Sequence, residues 1–287
     1  IEVVMNQSDQ LLRFLFRERD VRGEVVKVSA SLDAMLAGHQ YPQPVKKLLA
    51  ELVAATSLLT ATLKFEGQIA VQLQGDGPVR FIAVNGNHQQ QFRGVARLQK
   101  EVQGDSFAEL IGQGYLLVTI TPTQGERYQG IIPLVNDSLT ATLEAYFNQS
   151  EQLPTRLYLH TEIGAEHCQA AGLLLQVLPV DAEKSRADFA DLEVLADTLT
   201  REELLQLAPE ESLYRLFHQE VVELFPAQPV QFVCGCSREK SEAAIVSLGT
   251  EAIDEHIAEG KLDISCEYCN TLYHFDAAQL RLIKQNF

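Results

Sequence analysis

The spacing of apolar positions changes several times along this chain. After Pro44, apolar side chains at Val45, Leu48, Leu49, Leu52 and Val53 recur at helical spacing, and Leu58, Leu59 and Leu63 continue the run. Proline suits a first helical position, so the helix is expected to open there. The stretch 52–63 carries no charge and several small residues. A helix that is apolar on all sides is a central buried one. A second helix is expected over Gln7–Arg19, with Ser8 as its cap, and a third over Ser138–Gln149, capped by Ser138.

The period then shortens to that of strands. Gln68–Leu73 alternates polar and apolar residues and ends in Gln74-Gly75-Asp76-Gly77-Pro78, a turn signal. Val79–Val84 follows and runs to Asn85-Gly86, read as a hairpin turn. Further strands are expected at Gln91–Leu98, Tyr115–Thr121, Tyr128–Leu134, Arg156–Thr161 and Gly172–Leu178. Many strands with few helices predict an α+β fold rather than a regular βαβ alternation.

Glycine usage divides the chain. Residues 1–180 hold 14 of the 17 glycines, residues 181–233 none, and residues 234–287 three. Three regions are expected: a globular domain over 1–180, a helical connector over 181–233 and a small C-terminal module over 234–287. The connector has 12 acids against 4 bases, a net charge of −8. It also carries Phe189, Leu192, Leu195, Leu199, Leu204, Leu205, Leu213, Leu216, Phe217, Val221, Leu224 and Phe225. Thr200 with Glu203 forms a capping box, and Pro209 opens another helix through His218. Amphipathic helices of this kind need a surface to pack on.

Composition narrows the function. Acids outnumber bases 39 to 23, giving −16 and a pI near 4.8. That field repels phosphate backbones and anionic membrane surfaces, so neither a nucleic acid nor a membrane is an expected partner. No stretch of 18 apolar residues exists for a membrane helix. The first ten residues lack a signal-peptide pattern, and Met5 could be the natural start, with Ile1–Val4 as an extension. A cytoplasmic location with reduced thiols is expected.

Of five cysteines, Cys168 stands alone. The others form Cys234-x-Cys236, a gap of 29 residues, and Cys266-x-x-Cys269. Two close thiolate pairs suit tetrahedral zinc, each supplied from one tight turn. Gly235 permits the bend in the first pair, and Asn270 tolerates a left-handed turn after the second. His274 is a conceivable substitute ligand, but four sulfurs already fill the sphere. The same residues could form two local disulfides when oxidised, with zinc lost because a disulfide sulfur is no anionic ligand. Arg238 and Lys240 beside the first pair would favour thiolate. A 54-residue module buries too little apolar surface to be robust without its metal. Leu73–Pro78 lacks the lysine of a phosphate loop and is read as a turn, and the seven histidines form no triad pattern.

With these residues in view, the chain resembles the heat-shock protein 33 family of redox-regulated bacterial chaperones. The matching segments are Tyr41-Pro-Gln-Pro-Val45, Leu73-Gln-Gly-Asp-Gly-Pro78, Gly112-Gln-Gly-Tyr115, Arg127-Tyr-Gln-Gly130, Ser150-Glu-Gln-Leu-Pro-Thr-Arg156, Leu174-Leu-Gln-Val177, Cys234-Gly-Cys-Ser-Arg-Glu239 and Cys266-Glu-Tyr-Cys269. Their order, with the cysteine spacing, covers nearly the whole chain. The resemblance implies a non-enzymatic holdase that uses no ATP. It implies one zinc per chain on Cys234, Cys236, Cys266 and Cys269 in an inactive reduced form. It implies that oxidation forms Cys234–Cys236 and Cys266–Cys269, releases zinc, unfolds the linker, yields dimers and lets unfolding client proteins bind. No client-binding residues follow from it; Leu213, Leu216 and Phe217 of the connector are candidates. The alternatives are a constitutive chaperone with structural zinc, a disulfide oxidoreductase using Cys266-x-x-Cys269 and a zinc-ribbon interaction module. The oxidoreductase lacks the βαβ context, and the ribbon is acidic, with 9 acids against 5 bases over 234–287.

Overall fold

The computed structural model describes residues 9–62, 66–135, 137–178 and 182–285, which fall into two compact units. The first takes in 40–232 with the N-terminal stretch up to Leu36; the second takes in 37–39 and 233 onward.

The first unit opens with β1 (Gln10–Phe16), β2 (Val21–Val28), α1 (Ala30–Leu36) and α2 (Gln43–Thr62). Next come β3 (Gly67–Gly75), β4 (Val79–Asn87), β5 (Gln91–Leu98), α3 (Phe107–Ile111), β6 (Gly114–Pro122) and β7 (Tyr128–Pro133). After them lie α4 (Leu139–Tyr146), a π-helical turn (Phe147–Glu151), β8 (Thr155–Ile163) and β9 (Cys168–Val177). The connector supplies α5 (Ala182–Ala196), α6 (Arg201–Gln206), α7 (Pro209–Phe217) and three short strands, β10 (Val222–Leu224), β11 (Gln228–Pro229) and β12 (Gln231–Phe232). The α+β reading holds.

Two sheets organise this unit. One runs β10-β1-β2-β9-β8, with β11 also on β1; the other runs β12-β5-β4-β3-β6-β7. Helix α2 is the central buried helix the apolar run predicted: Val45, Leu49, Leu52, Leu58 and their neighbours have almost no exposed surface. It packs on strands of both sheets. Leu63, assigned to the same run, and Ser8, the expected first cap, lie outside the described residues.

Residues 10–16 form a strand, not the expected helix. Leu11 faces the α2 core, whereas Leu12, Phe14 and Phe16 face the connector. A strand buried on both faces shows no clean alternation, so its apolar run mimics a helix. Asn85-Gly86 is not a turn but lies inside β4. Gly86 stands opposite Phe92, and a Cβ there would come within 2.1 Å of the Phe92 ring. The chain reverses later, where Gln90 takes φ +58°. Ser138 caps α4 as expected, but regular α-helix ends at Tyr146 and the chain continues in the π turn.

The connector's helices cover the other face of the first sheet. Leu192, Leu204, Leu205, Leu213, Leu216 and Phe217 pack against Leu12, Phe14, Phe16, Val25, Leu173 and Leu175. The Phe217 ring meets Phe16 edge-on at 5.0 Å and Phe14 at 6.3 Å. The Thr200–Glu203 capping box is present, and Pro209 opens α7. Two core arginines reach across to acids of this segment. Arg19 pairs with Asp188 at 2.9 Å and Glu220 at 3.2 Å; Arg156 pairs with Asp197 at 2.9 Å. The segment is not helical throughout. After Phe217 it extends along β1 and β5, and Val221, Leu224 and Phe225 remain exposed. An arginine, Arg13, lies over the Phe225 ring.

The second unit holds α8 (Arg238–Ser247), α9 (Thr250–Glu259), the hairpin of β13 (Lys261–Ser265) and β14 (Leu272–Asp276), and α10 (Ala277–Gln285). Among the described residues its buried apolar cluster is small: Ile245, Ile253, Phe275, Leu280 and Ile283. Among the described residues of the chain, no helix is long and apolar enough to cross a membrane.

Candidate metal centre

The four cysteines of the second unit come together at the ends of its elements. Cys234 and Cys236 flank Gly235, which takes φ +66°, a conformation open to glycine. The Lys240 ammonium donates to the Gly235 carbonyl and braces this bend. Helix α8 starts directly afterwards, its first turn capped by Ser237. Cys266 and Cys269 occupy the turn between β13 and β14. There Asn270 N–H donates to the Cys266 carbonyl and Cys266 N–H to the Thr271 carbonyl. Asn270 sits at φ +54°, the left-handed turn expected of it.

All four sulfurs lie within 4.8 Å of one another. Cys234 Sγ is 3.4 Å from Cys266 Sγ, and Cys236 Sγ is 3.5 Å from Cys269 Sγ. Four sulfurs at about 2.3 Å from one ion stand roughly 3.8 Å apart in a tetrahedron. The cluster therefore has the size and donor chemistry to hold a metal ion. Among the described residues it is the one such group of cysteine, histidine and acidic side chains. His274 stands outside it, its Nδ1 2.6 Å from Asp263 Oδ1.

Side chains beside the sulfurs supply hydrogen bonds that sequence reasoning missed. Thr271 Oγ1 is 3.2 Å from Cys269 Sγ, and the Tyr273 hydroxyl donates to Cys236 Sγ at 3.1 Å. A threonine two residues beyond the knuckle, then an alternating strand, was the available signal. Burial pushes the Cys234 thiol far up, and burial also raises Cys266. Burial acts the same way on Cys269, but hydrogen bonds from Thr271 and the neighbouring sulfurs outweigh it and bring this thiol down to about 7. Donation to Cys236 raises the Tyr273 hydroxyl to about 12. Cys269 is poised to ionise near neutrality, whereas Cys234 and Cys266 resist until a cation balances them. Arg238, expected to favour thiolate, instead stacks on Phe275 at 4.3 Å and donates to the His274 carbonyl.

Cys168 lies apart, buried in the α2 core of the first unit. Burial, and next the charge of Asp33, raise its thiol and suppress reactivity. Leu213, Leu216 and Phe217 are buried on the first sheet.

Comparison with known proteins places this arrangement. A family model described as Hsp33 protein matches residues 9–276. The 33 kDa chaperonin of Pseudoalteromonas translucida is 53% identical over 278 residues, 96% of this chain and 99% of that protein. The 33 kDa chaperonin of Pasteurella multocida is 51% identical over 280 residues, 96% and 97% of the two chains. The crystal structure of the Thermotoga maritima 33 kDa chaperonin matches with a TM-score of 0.86, covering 97% of this chain and 98% of that one at 22% identity, which shows a shared fold. With about half its residues shared with such relatives over nearly its whole length, the chain belongs to the Hsp33 family of chaperones.

Proposed function

We propose that this chaperone is a redox-regulated holdase that needs no ATP and works in the cytoplasm. In this reading residues 1–180 are the core, 181–233 a redox-sensitive linker and 234–287 the switch. The observation that carries it is the four-sulfur cluster in a unit with little apolar core. Cys234, Cys236, Cys266 and Cys269 would hold one zinc ion in the reduced chain. Zinc, when bound, would supply the two positive charges that keep four thiolates together.

The chain's own residues set the response. Gly235 and Asn270 hold each pair in a tight turn, Tyr273 donates to Cys236, and Thr271 Oγ1 shares a hydrogen bond with Cys269. A peroxide removes two electrons from each pair, forming one S–S bond and yielding two waters per peroxide. Close sulfur contacts also join the two pairs, and all four sulfurs lie within 4.8 Å, so proximity in the reduced cluster does not choose the bonds. The proposed bonds, Cys234–Cys236 and Cys266–Cys269, close the shortest loops. They are the ones that survive once the pairs separate.

The second unit then loses its anchor, and the linker that leads into it loosens. Release of Leu213, Leu216 and Phe217 would uncover Phe14, Phe16, Leu173 and Leu175, an apolar face suited to unfolding clients. The linker's −8 charge keeps the freed chain soluble. A homodimer in the oxidised form belongs to the same proposal; a nucleic-acid partner does not.

The test measures suppression of client aggregation by reduced and peroxide-treated protein, with zinc release and thiol count followed in parallel. Activity appearing only with zinc loss and four fewer thiols is expected. Equal activity in both forms would instead make the metal purely structural. Catalytic reduction of insulin would point to disulfide exchange.

A further inference from the structure

A cavity of about 190 Å³ lies inside the first unit, away from the cysteines. It opens where the C-terminal end of α2 meets both sheets, and α4 and the π turn wall one side. Leu59, Ile69, Val118, Ile120, Leu143 and Phe147 supply its apolar body. π-Helical turns occur often at functional sites.

One end is polar and built as a unit. Arg22, Gln176 and Thr62 line it together. One guanidinium nitrogen of Arg22 donates to Gln176 Oε1 at 2.6 Å and to the Thr62 carbonyl at 3.5 Å. The Gln176 amide donates to Thr155 Oγ1 at 2.9 Å, which fixes its orientation. Arg22, Gln176 and Thr155 stand side by side on β2, β9 and β8. Arg22 is thus held in place, yet among the described residues it forms no ion pair, and its Nε is buried without a hydrogen-bond partner. Glu24, on the same strand face, does not close the gap: no ion pair joins it to Arg22, and its own Oε2 is unpartnered. A buried guanidinium nitrogen without a partner is costly, whereas a purely apolar cavity would stay dry.

We propose that this cavity binds a small amphipathic carboxylate, its head group on Arg22 and its alkyl or phenylalkyl tail among Leu59, Val118, Ile120, Leu143 and Phe147. Both halves of the site are then satisfied: the guanidinium gains a charge-assisted partner and the apolar walls gain contacts. A cavity of roughly 150 Å³ takes a benzene ring. The present one has room for a ring on a short chain, or an alkyl tail of similar bulk. The acidic net charge of the chain acts weakly here, because surface charges are screened within about 10 Å.

The experiment titrates reduced full-length protein with octanoate, 3-phenylpropionate, octanol and octylamine by calorimetry, and follows the Arg22 Nε–Hε signal by NMR. One saturable carboxylate site per chain is expected, at least about tenfold tighter than octanol, since charge-assisted hydrogen bonds outweigh neutral ones. The Arg22 signal should shift. In Arg22→Gln the preference for carboxylate over alcohol should vanish. In Ile120→Trp, where the indole fills the cavity, both ligands should lose affinity. Equal affinity for octanoate and octanol in the unaltered protein overturns the proposal, whatever the variants do. So does absence of saturable octanoate binding, or binding that leaves the Arg22 signal in place. Binding of a peptide with an apolar C-terminal residue, without octanoate binding, would also overturn it.

Discussion

The two units are held together by different means. In the first, α2 is buried along nearly its whole length between two sheets, and the apolar core runs without interruption from Leu11 to Val230. In the second, the buried cluster among the described residues is five side chains around Phe275, and the other organising feature is four sulfurs. Apolar burial alone can hold the first unit. A unit as small as the second lies where a metal or disulfides are usually needed. The first unit has a similar contrast within it. One face of its first sheet is covered by α2, the other by the acidic connector. The α2 face is closed by a helix from the middle of the unit, the connector face by a segment at its end. Dependence on the sulfur cluster should therefore be strongest in the second unit and weakest around α2.

The largest effect expected is loss of the second unit when the cluster is broken. Cys266→Ser, or a strong chelator, should abolish amide protection around Ile253, Phe275 and Leu280 while α2 keeps its own. Apparent zinc affinities in small domains are worth about 10–16 kcal/mol of folding. Hydrogen exchange reads both units at once, and full protection at Phe275 in metal-free protein would erase the contrast.

The connector face is tested by Phe217→Ser. Removing a buried aromatic ring costs about 3–5 kcal/mol. The loss should fall on residues 182–232, seen as new protease sites there with zinc content unchanged. A gain in aggregation suppression by this reduced variant would tie connector release to activity. A protease-sensitive connector without that gain would remove connector unfolding as the activating step.

The α2 face has its own probe in Glu24, buried on β2. Burial is the main cause that raises its carboxyl from 4.5 to about 7, against the opposing charges of Arg22 and Arg13. The folded state therefore binds a proton that the unfolded chain has lost between these values. Stability of the first unit should fall as pH rises through that window and level off above it. Glu24→Gln should flatten this slope and gain up to about 3 kcal/mol at pH 8, with little change below pH 4.5. Urea midpoints across pH measure it, and a wild-type slope of the opposite sign would refute the assignment.

The smallest effect belongs to Cys168→Ser. This thiol is buried, with its Sγ 3.9 Å from the Gly164 carbonyl. The change should cost roughly 1 kcal/mol. Zinc release under peroxide and thiol loss from the other four cysteines should be unaltered. A large loss of activation would relocate the redox centre.

Helix α2 was legible in the chain because one environment surrounds it: every turn is apolar, so burial needs no partner to be inferred. Strands β3 to β9 were legible in most cases from alternation and turn residues. Strand β1 was not, because Leu11 and Leu12 serve two different cores and the alternation vanishes. Helix α3 escaped notice although Ser106 and Glu109 form a capping box, a signal readable in advance. The end of the connector misled for another reason. Residues 222–232 gain strand structure from β1 and β5, chains distant in sequence that no local pattern reveals.

For the sulfur cluster, spacing alone determined the candidates, because two pairs of thiols each confined to one tight turn leave few other uses. Its length of 54 residues implied that the C-terminal unit would be poorly cored. Tertiary structure decided which atoms stand beside those sulfurs. Tyr273, on β14, donates to Cys236, 37 residues away in the chain. Tertiary structure also decided that Leu213, Leu216 and Phe217 cover the first sheet, and that Arg22 stands beside Gln176 at the end of a cavity. The physical reason is the same throughout. Local spacing records what neighbouring residues impose on one another, whereas burial and hydrogen-bond partners depend on which distant surfaces the folded chain brings into contact.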